Sequence, residues 1–292
     1  MRQRSFFEGR QIMRLKWYGW LGLGIIVLAE ILLFAGQVFV GRWFTPIVWT
    51  GYILFADALA LRLRGQSMIN DRPREALMLV WVSVGCWLVF EVYNLRLQNW
   101  YYVNVPENPI ARNWAYLWSF ATIMPGMFET ADVLEGLGFL RNVQVEAGVL
   151  SPTALAVLFV VGLAWVTIPP LLPVPIARYT FGFVWLGFIL LLEPINVLLG
   201  ADSPLKAWVE GNPRPALRLL AAGLVCGLLW EFWNFWAISG WRYAVPWPLD
   251  FGPHYFRMPV VGLLGFPPFA WESWTMFQFL KRVLHGDVLW RR

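Results

Sequence analysis

The sequence is poor in charge: Asp, Glu, Lys and Arg make up only 14% of its 292 residues, whereas hydrophobic residues make up 59%. A soluble domain has about 25% charged residues, so this composition excludes an ordinary soluble protein. The apolar residues form blocks of about 20, each long enough to cross a hydrocarbon core about 30 Å thick. Because the blocks are continuous and do not alternate, they indicate membrane helices and not a β-barrel.

Histidine and cysteine are equally scarce, with two of each. Cys86 and Cys226 fall inside apolar blocks, where a cysteine is usually a small packing residue. There is no CxxC pair and no cluster of metal-ligand residues, so we predict no bound metal, haem or other cofactor. The first apolar block is long and lacks a small-residue cleavage site, so we predict no cleavable signal peptide.

The apolar blocks predict an all-α integral membrane protein with eight transmembrane helices. The predicted spans are 17–39, 45–64, 76–97, 113–134, 153–172, 179–199, 215–238 and 258–282. With the N-terminus in the cytoplasm, 17 of the 23 Lys and Arg residues lie inside and 6 outside, as the positive-inside rule expects. We therefore predict a protein of the cell (inner) membrane with both termini cytoplasmic. The net charge of +5 reflects this topology and does not indicate nucleic-acid binding.

Short motifs recur in order along the chain, which indicates an internal duplication. The matches are WTGYILFAD (49–57) with WLGFILLLE (185–193), RPREAL (72–77) with NPRPAL (212–217), CWLVFEVYN (86–94) with CGLLWEFWN (226–234), NWYYVNVP (99–106) with GWRYAVP (240–246), and MPGMFE (124–129) with PPFAWE (267–272). Four spans in each half imply two parallel repeats, related by an axis along the membrane normal. The predicted segments are a cytoplasmic basic N-terminal segment (1–16), a first membrane repeat (17–134), a cytoplasmic linker (135–152), a second membrane repeat (153–282) and a cytoplasmic basic tail (283–292).

The duplication pairs acidic residues within the predicted spans. Asp57 corresponds to Glu193, Glu91 to Glu231, and Glu129 to Glu272, and the nearby Asn94 corresponds to Asn234. A carboxylate in hydrocarbon costs about 3 kcal/mol on insertion scales. No Lys or Arg lies deep in any predicted span, so we infer that at least one of these acids is neutral at pH 7. A neutral buried carboxylic acid can donate a proton.

Aromatic residues surround the acids of the third and seventh predicted spans. Glu231 and Asn234 share a helix face, as do Glu91 and Asn94, so each amide is placed to hydrogen-bond its acid. Aromatic faces stabilise cations without being nucleophiles. A proton donor beside such rings suits protonation of an alkene and containment of the carbocation, which is cyclase or isomerase chemistry on an isoprenoid. The same pairs also have a structural interpretation, because Glu–Asn contacts hold membrane helices together.

Several motifs of the second half occur in a recognisable order. They are Trp230-Glu231, Asn234, Gly240-Trp241-Arg242-Tyr243, Gly265-Phe266-Pro267-Pro268, Glu272 and Phe277-Gln278, and the first half repeats them with Glu91, Asn94, Trp100, Tyr102, Pro125 and Glu129. This pattern resembles the lycopene cyclase domain, a family of small integral-membrane carotenoid cyclases that pair two similar multi-span halves.

The resemblance implies a proton-initiated, non-redox cyclisation of a long polyene. Glu231 and Glu272 would be the acid and the charge partner or terminal base, with Glu91 and Glu129 as their counterparts. We predict a catalytic set made of Glu231, Glu272, Glu91, Glu129, Asn234 and Asn94. The predicted substrate-binding residues are Trp230, Trp233, Trp236, Phe235, Trp241, Tyr243 and Trp271. The implied partners are a hydrophobic isoprenoid or lipid substrate and the membrane lipids.

Three prolines, Pro125, Pro267 and Pro268, fall inside predicted spans shortly before Glu129 and Glu272. Proline kinks a helix, and such breaks are tolerated in membranes where a cavity or protein satisfies the backbone. We therefore expect a cavity near these glutamates. Two other functions fit the same features: a proton-coupled transporter, which also has repeats and intramembrane acids, and a non-catalytic lipid- or pigment-binding subunit.

Overall fold

The structure is a computed structural model that describes residues 14–285, and it is mostly helical. The helices of the first half are α1 (Trp17–Phe34), α2 (Val38–Arg42), α3 (Phe44–Arg64), α4 (Met68–Asp71), α5 (Pro73–Leu97), α6 (Pro109–Ala121) and α7 (Ile123–Gly136). Those of the second half are α8 (Pro152–Thr167), α9 (Val174–Ala177), α10 (Phe181–Leu199), α11 (Pro204–Val209), α12 (Arg214–Trp236), α13 (Val260–Leu263) and α14 (Phe266–His285). The strands are β1 (Trp100–Val103), β2 (Gly240–Tyr243), β3 (His254–Tyr255) and β4 (Met258–Pro259).

Within residues 14–285, six helices are long and apolar enough to cross a membrane, in agreement with the predicted class. They are α1, α3, α5, α10, α12 and the stretch Pro152–Leu171, in which α8 continues into a short 3-10 turn. These helices coincide with six of the eight predicted spans. Large apolar side chains such as Trp20, Leu28 and Ile31 of α1 are exposed, as expected for a surface that lipid covers.

The remaining predicted spans, 113–134 and 258–282, are not single apolar helices. The first is broken at Thr122, between α6 and α7. In the second, the chain forms β4 and α13 before α14 begins at Phe266. Helices α7 and α14 pack against each other and against α5 and α12, and α7 also contacts α3 while α14 contacts α10. Because neighbouring helices and not lipid surround them, they can carry polar residues that an apolar span cannot.

The three prolines near these glutamates do not kink a helix as predicted. Pro125 lies in the first turn of α7, and Pro267 and Pro268 lie in the first turn of α14. The N–H groups of a first turn have no partner within the helix, so proline is tolerated there. A proline within a helix is found instead at Pro194 of α10, directly after Glu193.

Glycine permits close approach of the outer helices. Helix α1 packs against α3, and α8 packs against α10. A Cβ atom at Gly22 would overlap the backbone of Gly51, and a Cβ atom at Gly162 would overlap the backbone of Leu190 and Leu191. Helices in lipid gain no hydrophobic stabilisation from association, so small residues that allow close van der Waals contact stabilise such crossings.

Strands β1 and β2, which follow α5 and α12, pair with each other in antiparallel fashion. Tyr101 lies opposite Arg242, and these residues occupy equivalent places in the motifs NWYYVNVP and GWRYAVP. The C-terminal ends of α5 and α12 therefore meet on one face of the molecule. The N-terminal end of α12 lies at the other face, where the backbone N–H of Gly148 donates to the Val209 carbonyl at 2.7 Å.

Candidate functional site

Four aromatic side chains share one face of the β1–β2 pair. Alternate residues of a strand point to the same side, so Trp100 and Tyr102 of β1 lie beside Tyr243 and Trp241 of β2. Trp100 faces Tyr243, and Tyr102 faces Trp241. We name these four residues the aromatic ribbon, and all of them line the same cavity.

Two asparagines hold the ribbon against the helices. Asn234 Nδ2 donates to the Trp241 carbonyl at 3.0 Å, and Asn234 Oδ1 accepts from the Trp241 N–H at 2.9 Å. Asn94 contacts the backbone of Trp100 in the same way, at 2.8 Å and 3.3 Å. The sequence predicted that these amides would bind the neighbouring glutamates. Their partners are backbone groups instead, because the strand that follows each helix brings a backbone N–H and C=O to the amide.

Glu91 of α5 is surrounded by hydrogen-bond donors. Its Oε1 atom accepts from Trp87 Nε1 at 2.9 Å, from Trp100 Nε1 at 3.0 Å and from the Tyr102 hydroxyl at 2.6 Å. Two of these donors belong to the aromatic ribbon and the third to the preceding turn of α5. Three donors therefore converge on one carboxyl oxygen and satisfy its capacity to accept hydrogen bonds.

Glu231 of α12 has fewer donors than Glu91, although the sequence motifs around the two match. The Tyr243 hydroxyl donates to Glu231 Oε1, and Trp241 Nε1 donates to the Tyr243 oxygen at 2.6 Å. Among residues 14–285, Glu231 Oε2 has no hydrogen-bond partner, and the side chain is only 1% exposed. The position that matches Trp87 is Gly227, where the ring of Phe266 occupies the space of a side chain. The second carboxyl group therefore lacks an indole donor from its own helix.

The aromatic ribbon faces a cavity of about 370 Å³, a size typical of small-molecule sites. Most of its lining is apolar, and its rings are Trp87, Trp100, Tyr102, Tyr116, Phe120, Tyr179, Phe181, Trp185, Trp230, Trp241, Tyr243, Phe266 and Phe269. Arg42 and Arg178 also contribute to the lining. Glu91 and Glu231 lie behind the ribbon and reach the cavity through tyrosine hydroxyl groups.

The two ribbon tyrosines remain protonated at physiological pH. Burial, together with the adjacent Glu231 charge, raises the pKa of Tyr243 well above its ordinary value near 10. Burial and the Glu91 charge raise the pKa of Tyr102 in the same direction. Because a raised pKa keeps a phenol neutral, each tyrosine carries a hydroxyl group and not a phenolate, and that hydroxyl donates to its glutamate.

Asp57 and Glu193, the outer pair of matched acids, are buried and well supplied with donors. Asp57 Oδ2 accepts from the Tyr18 hydroxyl at 2.6 Å and from Ser67 Oγ at 2.8 Å. Glu193 accepts from Ser203 Oγ, and its Oε1 accepts from Trp271 Nε1 at 2.6 Å and Thr275 Oγ1 at 2.8 Å. Each serine lies ten residues after its acid and caps the short helix that follows, α4 or α11. This arrangement indicates that both acids anchor a helix connection.

Glu129 and Glu272 are buried in α7 and α14, and neither lines the cavity. Ile123 and Phe266, the first residues of the two helices, do line it. Each glutamate follows six residues later, which places it about 9 Å further along the helix. In the described part of the chain, neither carboxyl oxygen of Glu272 has a hydrogen-bond partner. The structure therefore separates these two predicted catalytic residues from Glu91 and Glu231.

The predicted substrate-binding residues divide into two groups. Trp230, Trp241 and Tyr243 line the cavity, whereas Trp233, Phe235, Trp236 and Trp271 do not. Trp233 Nε1 donates to Glu30 at 3.1 Å, and Trp271 donates to Glu193. Phe235 lies beneath the guanidinium of Arg257, 4.9 Å from the ring centroid, and Trp236 is 43% exposed. On a helix, consecutive aromatic residues point in different directions, so a run of rings cannot all face one cavity.

Sequence reasoning missed other parts of the site. Trp87, Trp185 and Phe269 line the cavity, and Trp185 stacks on Phe269 at a centroid distance of 5.2 Å. Trp87 could have been found, because it lies one helical turn before Glu91. Trp185 belongs to the matched motif WLGFILLLE. Its contact with Phe269 of α14 is a tertiary contact, which no pattern in the neighbouring sequence predicts.

Comparison with known family models, with curated proteins and with solved structures gave no match to this chain. Its function must therefore be inferred from the geometry of the site. Within the described residues, no group of three or more His, Cys, Asp or Glu side chains could hold a metal ion.

Proposed function

We propose that the chain crosses the membrane eight times, as two parallel repeats of four crossing elements. The six apolar helices supply six crossings, and α6–α7 and α13–α14 supply the fourth of each repeat. The pairing of β1 with β2 supports this arrangement, because it brings the C-terminal ends of α5 and α12 together on one face, and two strands perpendicular to a two-fold axis run antiparallel. Ser67 and Ser203, each bonded to the acid ten residues before it, support the same relation. In this topology both termini lie in the cytoplasm.

We propose that the protein is an integral-membrane enzyme that protonates an isoprenoid polyene in the aromatic cavity and so cyclises or isomerises it. One observation carries this proposal: a buried carboxyl group, Glu231, is joined to an apolar cavity through the hydroxyl of Tyr243. The lining suits a long apolar molecule, and the tyrosine oxygen links the buried carboxyl group to it. The sequence resemblance to membrane carotenoid cyclases agrees with this chemistry.

The proposed step begins with a proton on Glu231. The protonated Glu231 donates to the Tyr243 oxygen, so that the hydrogen of the tyrosine turns from the carboxyl group to the cavity. The Tyr243 hydroxyl transfers its proton to an alkene carbon, and the Glu231 proton replaces it on the tyrosine oxygen. The substrate becomes a carbocation, which forms a ring bond or moves its double bond, and Glu231 becomes a carboxylate. Loss of a proton from a neighbouring carbon to the Tyr243–Glu231 pair restores both groups. No electron is gained or lost, so the reaction needs no redox partner.

The different donor sets of the two glutamates suggest different roles. Glu91 Oε1 already accepts from three donors, whereas one oxygen of Glu231 has no partner within residues 14–285, so we assign the acid role to Glu231. The faces of Trp185, Trp230 and Phe269 would stabilise a cation in the cavity.

The test is chromatography of pigments from lycopene-accumulating cells that express the wild type, Glu231→Gln or Glu210→Gln. Glu210 is an exposed acid that serves as the matched control. We expect cyclised carotenoid from the wild type and from Glu210→Gln, but not from Glu231→Gln. Unchanged lycopene in all three, with the proteins present in the membrane, would refute lycopene as the substrate.

A second candidate is a non-catalytic binding protein for an isoprenoid or pigment. It is favoured by the position of both carboxyl groups behind the ribbon, away from direct contact with a bound molecule. Mass spectrometry of the apolar compounds that copurify with the protein separates the two functions. An unmodified compound that is retained equally by Glu231→Gln would support binding without catalysis. Proton-coupled transport requires acids along an aqueous path, and the apolar lining of this cavity argues against it.

A further inference from the structure

A second cavity, of about 430 Å³, lies at the end of the molecule where α3 and α7 end and α12 begins. Unlike the aromatic cavity, it is lined mostly by polar groups. Its lining in the described chain consists of Leu63, Arg64, Gln66, Glu135, Gly136, Gly138, Phe139, Arg141, Asn212, Arg214, Pro215 and Arg218. We name it the basic cavity.

Positive charge dominates the basic cavity. Four of the lining residues just given are arginines and one, Glu135, is acidic. Glu135 Oε2 accepts from Arg64 Nη2 at 3.0 Å and from Arg218 Nη1 at 2.6 Å, so one carboxylate bridges guanidinium groups of α3 and α12. Arg64 also pairs with Asp132. Among the described lining residues the guanidinium groups outnumber the single carboxylate, so the lining favours an anion.

The backbone adds to this preference. Helix α12 begins at Arg214 without a side-chain cap and without an acidic residue in its first turn. The positive end of its dipole is therefore not neutralised by its own sequence. Arg214 is held at the rim, where its Nε donates to Asn212 Oδ1 at 2.8 Å and its Nη1 donates to the Arg141 carbonyl at 3.2 Å. The donors that converge here come from two helix ends and from the connection after α7.

We propose that the basic cavity binds a phosphate group, held by Arg64, Arg214 and Arg218. Guanidinium groups match phosphate geometry through paired hydrogen bonds. The cavity lies where the apolar helices α3 and α12 end, which is the level of lipid headgroups in the proposed topology. Basic pockets between membrane helices bind such headgroups. The Glu135 carboxylate lies between Arg64 and Arg218 and would compete with a phosphate for both guanidinium groups. This site is at the far end of α12 from the aromatic cavity and is independent of the proposed enzyme activity.

The experiment measures the thermal unfolding midpoint of the purified full-length protein in uncharged detergent micelles against ligand concentration. The probes are inorganic phosphate, short-chain phosphatidic acid and, as the control, short-chain phosphatidylcholine. A rise with phosphatidic acid alone supports a lipid headgroup, and a saturable rise with inorganic phosphate supports free phosphate. No rise with either, or an equal rise with phosphatidylcholine, overturns the proposal.

Three variants test the assignment of residues. Arg218→Gln should weaken binding of the active probe about tenfold or more, because it removes a charge-assisted hydrogen bond. Arg62→Gln, at the same helix end but outside the lining, should leave the affinity unchanged. Glu135→Gln should tighten binding about tenfold, because it removes the competing carboxylate. An equal loss in Arg62→Gln, or no gain in Glu135→Gln, overturns the proposal even if Arg218→Gln fails to fold.

Discussion

The attachment of the aromatic ribbon to the helices leads to a quantitative prediction for Asn234. Asn234→Ala deletes both hydrogen bonds to Trp241 and leaves its N–H without that partner, whereas the carbonyl keeps the Arg242 Nη1 donor at 2.8 Å. An unsatisfied buried N–H costs about 1–3 kcal/mol and the lost bond to the carbonyl about 0.5–1.5 kcal/mol, so we expect the free energy of unfolding to fall by about 2–4 kcal/mol. Because β2 carries Tyr243, the variant should also lose the contact with Glu231 and the proposed activity.

The assay is reversible unfolding in mixed detergent micelles, followed by tryptophan fluorescence. Asn94→Ala, which removes the matching bonds to Trp100, should lose stability in the same direction. Asn70→Ala is the control, because this residue is exposed, and we expect a change within about 0.5 kcal/mol. If Asn234→Ala loses no more stability than Asn70→Ala, the asparagine does not hold the ribbon and the reasoning fails.

Other predictions test the acid network and the helix crossings. Tyr243→Phe removes the proton relay but keeps the ring, so it should lower the proposed activity by about 10²-fold or more with a small loss of stability. Chromatography measures the activity and thermal unfolding measures the stability. Full activity would exclude the relay. Gly162→Leu should lower the free energy of unfolding by about 1–3 kcal/mol or more, because the new side chain overlaps α10. Gly24→Leu, where the side chain enters open space, should cause no such loss. Equal unfolding midpoints for the two variants would contradict this. Ser203→Ala should cost about 1–3 kcal/mol, because it removes a donor to the buried Glu193; a midpoint equal to wild type would show that the bond contributes nothing.

Sequence reasoning predicted the membrane class and six of the spans, because the length of an apolar block is a local property of the chain. It could not describe α7 and α14 correctly. The side chains of these helices contact other helices and not lipid, so the two helices need not be apolar. Hydrophobicity along the sequence therefore does not predict where they begin and end. The predicted proline kinks were wrong for a related reason. Proline kinks a helix in its middle but is tolerated in the first turn, and the sequence did not show where these helices begin.

At the candidate site, the sequence singled out Glu91, Glu231 and Tyr243 through matched motifs, and these residues do lie together. It assigned the asparagines to the wrong partners. A spacing of three residues shows that two side chains share a helix face, but it does not show which group folds back to meet them. The turn that follows each helix brings the tryptophan backbone to the asparagine, so the amide binds this backbone and not the glutamate.

The sequence by itself therefore determined that this is a membrane protein and where most of its apolar helices lie. The tertiary structure alone decided which acids reach a cavity. Glu91 and Glu231 are joined to it because two strands from distant parts of the chain pair and carry their tyrosines across, whereas Glu129 and Glu272 lie deeper in the central helices. That difference depends on contacts between residues about 140 positions apart, which no local pattern encodes.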